Sequence, residues 1–219
     1  MERKVAWESY SADQLEELEA LNKRYIDFIS DNKTERRCFA ASVAQAQAAG
    51  YISLDEAVKE GRSLKPGDKV WAGIHGKTLV LVHVGGASMV EGLNILGAHI
   101  DSPRLDLKQN PLYESDGFAY LDTHYYGGIK HYQWVTLPLA LHGVVAKTDG
   151  TVVDINVGDD SADPVFCVTD LLPHLGNQQM AKKGSEVVEG ESLDILMGNR
   201  PLVVSKEKGE AEDKENTAD

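Results

Sequence analysis

The 219 residues carry a formal net charge of −13, with 42% apolar residues and two cysteines. That leaves room for one large domain or two small ones with real cores. It argues against nucleic acid and anionic membrane as partners, because a phosphate-binding surface needs clustered Lys and Arg and the chain has no such cluster. No apolar stretch approaches the roughly 20 residues that cross a bilayer, Cys38 and Cys167 are too few and too distant for a disulfide scaffold, and the start through Trp7 lacks a signal peptide's apolar centre. The expected location is therefore the cytoplasm.

Ser11 with Gln14 forms a capping-box start, after which Leu15, Leu18, Tyr25 and Ile29 recur at helical spacing. A second helix is expected from about Thr34 to Ala49, stopped by Gly50, which tolerates positive φ. Ser53 with Glu56 opens a short third helix that ends near Gly61, and Pro66-Gly67 marks the switch to strands. Val70 to Ile74 and Thr78 to Val84 read as a hairpin through His75-Gly76-Lys77. The second of these strands is apolar at nearly every position, so it is expected to be central and buried on both faces. His83 then reads as a core histidine and His75 as a turn residue.

The run from Leu93 to Asp101 reads as a further buried strand that stops on a histidine and an acid. Side chains two apart on a strand share a face, so His99 and Asp101 can lie side by side with Ile100 turned away. A catalytic zinc takes neutral imidazole, whose other nitrogen usually needs a carboxylate or carbonyl to fix its tautomer. His99 is thus a candidate metal ligand, and Asp101 a candidate for the carboxylate that orients it. A bare His-x-Asp triplet is also what a solvated surface pair looks like.

Beyond Asp101 the texture changes to short strand-like runs, Phe118 to Tyr126, Trp134 to Ala146, Thr151 to Val157 and Val165 to Val168, with Asp149-Gly150 as a hairpin turn. Arg104 and Lys108 alternate with Leu105 and Leu107, which predicts a half-exposed strand with the basic residues outward. Ser102 is a poor nucleophile despite its neighbours, because a Ser-His-Asp triad is assembled from distant segments, and no Gly-x-Ser-x-Gly elbow occurs. The paired glycines of Tyr125-Tyr126-Gly127-Gly128 permit close backbone approach beside Lys130 and His131. Charged residues dominate from Ser205 to Asp219, with no large apolar side chain, so this reads as an acidic, solvated and disordered tail.

Asp101-Ser102-Pro103-Arg104-Leu105-Asp106-Leu107-Lys108, Pro111-Leu112-Tyr113-Glu114, Tyr125-Tyr126-Gly127-Gly128-Ile129-Lys130 and Pro138-Leu139-Ala140-Leu141-His142-Gly143 resemble the aspartyl aminopeptidase / aminopeptidase I family of di-zinc exopeptidases. The resemblance extends back through Lys33-Thr34-Glu35-Arg36 and Gly67-Asp68-Lys69-Val70 and forward to about Pro201. It implies an α/β fold: the amino-terminal part of a three-layer α/β/α zinc-peptidase domain over residues 1–103, an inserted β-rich lid and dimerisation domain over 104–204, and the tail from 205 to 219.

The resemblance also implies that His99 binds zinc with Asp101 as its orienter, and that Lys130 and His131 contact substrate, reaching the active site of a neighbouring subunit. Two Zn2+ ions per complete site, with Mn2+ or Co2+ as alternatives, would share a water about 3.5–4 Å from one ion to the next, and peptides would be the substrates. The family's bridging aspartate, paired glutamates, further acidic ligand and late histidine have no matching motif in this sequence. The chain thus corresponds to an amino-terminal portion, expected to be inactive alone and to associate with itself or with a complementing carboxyl-terminal half. A different reading is a non-catalytic dimerisation or assembly module derived from such an enzyme.

Overall fold

The structure is a computed structural model that describes residues 5–200, so the charged segment from 205 to 219 lies outside the described residues. It divides between Ser102 and Pro103 into two units.

In the first unit, helix α1 (Ala12–Asp31) starts as its sequence requires: the Ser11 hydroxyl accepts from the Gln14 amide at 3.3 Å, and the Gln14 side chain accepts from the Ser11 amide at 3.0 Å. No residue of α1 is buried, and Tyr25, Ile26 and Ile29 stand open. Helix α2 (Glu35–Ala48) is capped by Thr34, whose hydroxyl accepts from the Arg37 amide, and its end is turned by Gly50 at φ +86°. Strand β1 (Ile52–Ser53) leads directly into helix α3 (Leu54–Lys59), and Gly61, at φ +64°, follows it.

Strands β2 (Lys69–Ile74) and β3 (Thr78–His83) pair antiparallel, and β1 joins the other side of β2 in parallel, giving the order β1-β2-β3. His75 at φ +55° and Gly76 at φ +63° make the turn between them, with the His75 carbonyl accepting from Arg36 at 3.2 Å. Gly73 lets helix α2 approach the sheet, because a Cβ there would fall inside the ring of Phe39. Phe39 in turn meets Trp71 edge-on at 6.3 Å.

Two expectations are corrected in this unit. Strand β3 is an edge, not a centre: Val80, Leu81 and Val82 are about half exposed, and His83 is exposed and not a core residue. The run from Leu93 to Asp101 has no ladder partner among the described residues, and Leu96 is fully exposed. An apolar run shows that a strand suits burial on both faces. Burial itself needs a packed layer on each face, and the exposure of Val80, Leu81 and Val82 shows that the described residues do not cover both faces of β3.

In the second unit, strands β4 (Arg104–Ser115), β5 (Phe118–Tyr126), β8 (Cys167–Val168) and β9 (Ile195–Gly198) form an antiparallel sheet in the order β4-β5-β9-β8. Strands β6 (Leu141–Ala146) and β7 (Val152–Val157) form a separate hairpin. Its turn is set by Gly150 at φ +84° and by Asp149, whose carboxylate accepts from the Thr151 amide at 2.9 Å. The core is Leu121, Phe166, Val168, Val188, Leu193 and Ile195, with Leu193 fully buried. Thr123 is buried beside it and donates its hydroxyl to the Leu193 carbonyl at 2.6 Å.

The expected strand from Trp134 begins only at Leu141, because Thr136 sits at φ +60° and Pro138 has no amide to give to a ladder. The segment before it makes single bridges instead, Val135 with Val168 and Leu139 with Phe166. Helix α4 (Asn177–Met180) follows β8. The outward placement of Lys108 is also corrected. Its ammonium lies 2.8 Å from Asp122 and 2.9 Å from Glu191, while Leu107 is the more exposed neighbour. Arg104 lies along the Tyr126 ring, 3.9 Å from its centre, and pairs with Asp106 at 2.7 Å. Asp106 on the same strand and the Tyr126 ring on β5 hold Arg104 along the sheet, while Asp122 on β5 and Glu191 hold Lys108.

Candidate metal centre

The backbone from Leu93 to Asp101 is irregular, yet His99 and Asp101 meet. The His99 Nδ1 atom lies 3.1 Å from the Asp101 carboxylate and 3.0 Å from the Asp101 carbonyl. Both partners are acceptors, so Nδ1 carries the proton. In neutral imidazole Nε2 then keeps its lone pair. The His99 side chain is 84% exposed and that of Asp101 39%, so this nitrogen is presented in the open. A metal-binding histidine is prepared in this way, with one nitrogen tied to an acceptor and the other bare.

One imidazole is a single corner of a zinc site, which takes three protein ligands when catalytic. Among the described residues no group of three or more His, Cys, Asp or Glu side chains is arranged to hold a metal ion. The described residues therefore fit one ligand and its orienter, and among them no complete site is formed.

Lys130 and His131 lie in the second unit, where Lys130 is exposed and His131 half-buried at the start of a single 3-10 turn. The His131 Nδ1 atom donates to the Val188 carbonyl at 3.0 Å, and the ring packs against Tyr125 with centres 4.6 Å apart. Gly190 completes this cradle, since a Cβ there would enter the Tyr125 ring. Like His99, His131 has its proton fixed on Nδ1. Sequence reasoning gives no hint of Val188 or Gly190, because the carbonyl that holds His131 is 57 residues away.

A second charged group escapes sequence reading altogether. Glu191 accepts from Lys108 at 2.9 Å and lies 3.0 Å from the His124 Nδ1 atom. These two contacts, Lys108 first, hold the Glu191 carboxyl below the usual carboxylate range, and Asp122 and Glu191 together raise the Lys108 ammonium. Tyr113 is pushed up to about 12, chiefly by burial and then by the hydrogen bond it gives Asp194 at 2.7 Å.

His99, its Nδ1 turned to Asp101, lies near the end of the first unit, and a β-rich unit follows. The family profile of the aminopeptidase I zinc metalloproteases (M18) matches residues 28–218, and the chain belongs to that family. It is 53% identical over 207 residues to a probable M18 family aminopeptidase 1 of Clostridium acetobutylicum, covering 94% of this chain and 44% of that relative. A crystal structure of an M18 aminopeptidase from Thermotoga maritima superposes with a TM-score of 0.83 at 41% identity, over 94% of this chain and 44% of that one. A Saccharomyces mApe1 dodecamer shares the fold at a TM-score of 0.62 and 19% identity, over 85% of this chain and 40% of that one. The chain thus spans less than half the length of these relatives.

Proposed function

We propose that this chain contributes one zinc ligand, His99, and its orienter, Asp101, to an aminopeptidase that removes amino-terminal residues from peptides. The observation that carries this reading is the His99 pair itself: its proton is committed to two acceptors and its Nε2 lone pair is presented to solvent. Zinc bound there supplies Lewis-acid polarisation and lowers the pKa of a water. The chain's own part is to keep the ring proton on Nδ1 and to fix the ring's orientation through Asp101. Lys130 and His131 are proposed to contact the peptide, with the His131 ring held in one tautomer by Val188. Residues 1–103 would belong to the peptidase domain and 104–204 to a lid that pairs subunits in a homo-oligomer. The ions would be two zincs, with Mn2+ or Co2+ as alternatives, and the place the cytoplasm, where the free thiols Cys38 and Cys167 are at home.

Among the described residues no group of three or more His, Cys, Asp or Glu side chains is arranged around His99 or elsewhere to hold a metal ion. Turnover therefore requires a carboxyl-terminal segment of the family to supply the remaining ligands and a general base. The test is to measure hydrolysis of aminoacyl substrates against zinc concentration for the chain alone, for the chain with such a segment, and for the pair carrying His99→Ala. The expected result is no activity alone, activity in the pair and none with His99→Ala. Zinc-dependent turnover by the chain alone, or a fully active His99→Ala pair, refutes it. The same ligand shortfall favours a second reading, a non-catalytic assembly module, which is upheld if no complementing segment restores turnover while the chain still associates with itself.

A further inference from the structure

Beside helix α4 the second unit carries two adjoining cavities, of about 460 and 230 Å³, that share a wall of Val135, Val187 and Val188. Asp170, Leu171 and Gln179 line both and therefore stand at their junction. The two differ in chemistry. The smaller adds Tyr132, Pro173 and Met180 and gains no charge beyond the shared Asp170, so it is a place for an apolar group. About 150 Å³ of aliphatic lining is enough to hold a benzene-sized group, so 230 Å³ takes one amino-acid side chain of the size of leucine or phenylalanine. The larger adds Gln178, Lys182, Glu189 and Ser192, and so takes a polar one.

The charges at and beyond the junction tell what the polar group is. Asp170 is held by two donors on one oxygen: its Oδ1 atom accepts from the Leu171 amide at 2.8 Å and from the Gln179 side chain at 2.9 Å, and Oδ2 takes neither bond. Lys182 spends one contact on Glu189 at 3.4 Å, and an ammonium has three donors, so it can also meet a ligand's carboxylate. A phosphate or other multiply charged anion would face two acids against one lysine and is disfavoured. An apolar recess, an acid at its edge and a lysine beyond it are instead the complement of a zwitterion that carries side chain, ammonium and carboxylate on one carbon. We infer that this double cavity binds a free α-amino acid with an apolar side chain. The side chain enters the smaller cavity, the α-ammonium donates to Asp170 Oδ2 and the carboxylate accepts from Lys182. The site lies wholly within the second unit and needs neither His99 nor zinc, so it stands apart from the proposed function.

The experiment titrates the full chain, free of zinc, with L-leucine, read by calorimetry and by the methyl resonances of Val135, Val187 and Val188. The expected result is a dissociation constant of about 1 mM or tighter, with those valine methyls shifting. Glycine lacks the side chain, N-acetyl-leucine the ammonium and leucinamide the carboxylate, and each should bind at least ~10-fold more weakly. Asp170→Asn keeps an acceptor for the Leu171 amide and the Gln179 side chain but replaces Oδ2, and Lys182→Gln removes the cation; each should weaken leucine ~10-fold. Both sites are exposed, and circular dichroism verifies that the variants are folded. No valine methyl shift up to ~10 mM leucine, any of the three analogues bound as tightly as leucine, or leucine bound unchanged by either variant overturns the inference. The tripeptide leucyl-glycyl-glycine carries the same side chain and ammonium with its carboxylate two residues on. If it binds more tightly than leucine, the cavity belongs to a peptide's amino terminus and the free amino acid is overturned. Failure of peptidase complementation would bear on the proposed function alone.

Discussion

Replacing Asp101 by Ala tests how the candidate ligand is oriented, and the structure sets the size of the effect. Removing an orienting carboxylate from a metal-binding histidine usually weakens metal affinity by about 10–100-fold. Here Nδ1 has two acceptors, the Asp101 carboxylate at 3.1 Å and the Asp101 carbonyl at 3.0 Å, and the substitution removes only the first. The carbonyl still favours the proton on Nδ1, so the loss should sit at the low end, about 10-fold. Asp101→Asn keeps an acceptor oxygen without the charge and should lose less. His99→Ala removes the ligand and should abolish the His99-dependent part of binding. The assay is a competitive zinc titration against a chromophoric chelator on the complemented pair, joined to long-range proton–nitrogen correlation spectra of His99 in the chain alone. In those spectra the Nδ1–H tautomer should dominate in the parent and persist, less strongly, in Asp101→Ala. An Asp101→Ala loss equal to that of His99→Ala would refute the reasoning, as would an Nε2–H tautomer in the parent.

The other predictions concern the second unit. Thr123→Val keeps the shape of a buried side chain but deletes its hydrogen bond to the Leu193 carbonyl, so it should destabilise the unit by about 1–3 kcal/mol in urea unfolding; Thr123→Ser, which keeps the hydroxyl, should lose about 1 kcal/mol or less. Gly190→Ala drives a methyl into the Tyr125 ring and should destabilise by about 1–3 kcal/mol, with a shift in the His131 ring resonances that Gly176→Ala does not produce. Glu191 is held low by Lys108 and His124, so its contribution is present above the ordinary glutamate pKa and disappears as pH falls through its depressed value. The stability of the parent should therefore fall more steeply than that of Glu191→Gln between about pH 5 and pH 3, and parallel curves would contradict this.

Much of the local architecture is legible without coordinates because its causes act within a few residues. The Ser11 and Gln14 box, the Thr34 cap, the Gly50 stop and the Asp149-Gly150 turn are backbone groups finding partners two to five positions away. The same short range makes the His99 and Asp101 pair readable, and it forms even though the expected strand around it does not. Tertiary structure alone decides what depends on neighbours distant in the chain. Apolar content makes β3 and the Leu93 to Ile100 run fit for burial, but their exposure follows from what is packed on their faces among the described residues. Lys108 is clamped because β9 joins β5 and brings Glu191 from 83 residues away; His131 is fixed because Val188 arrives from 57. Periodicity records which face of a segment is apolar. Sheet order determines what that face meets, and the free energy of burial and pairing belongs to the meeting.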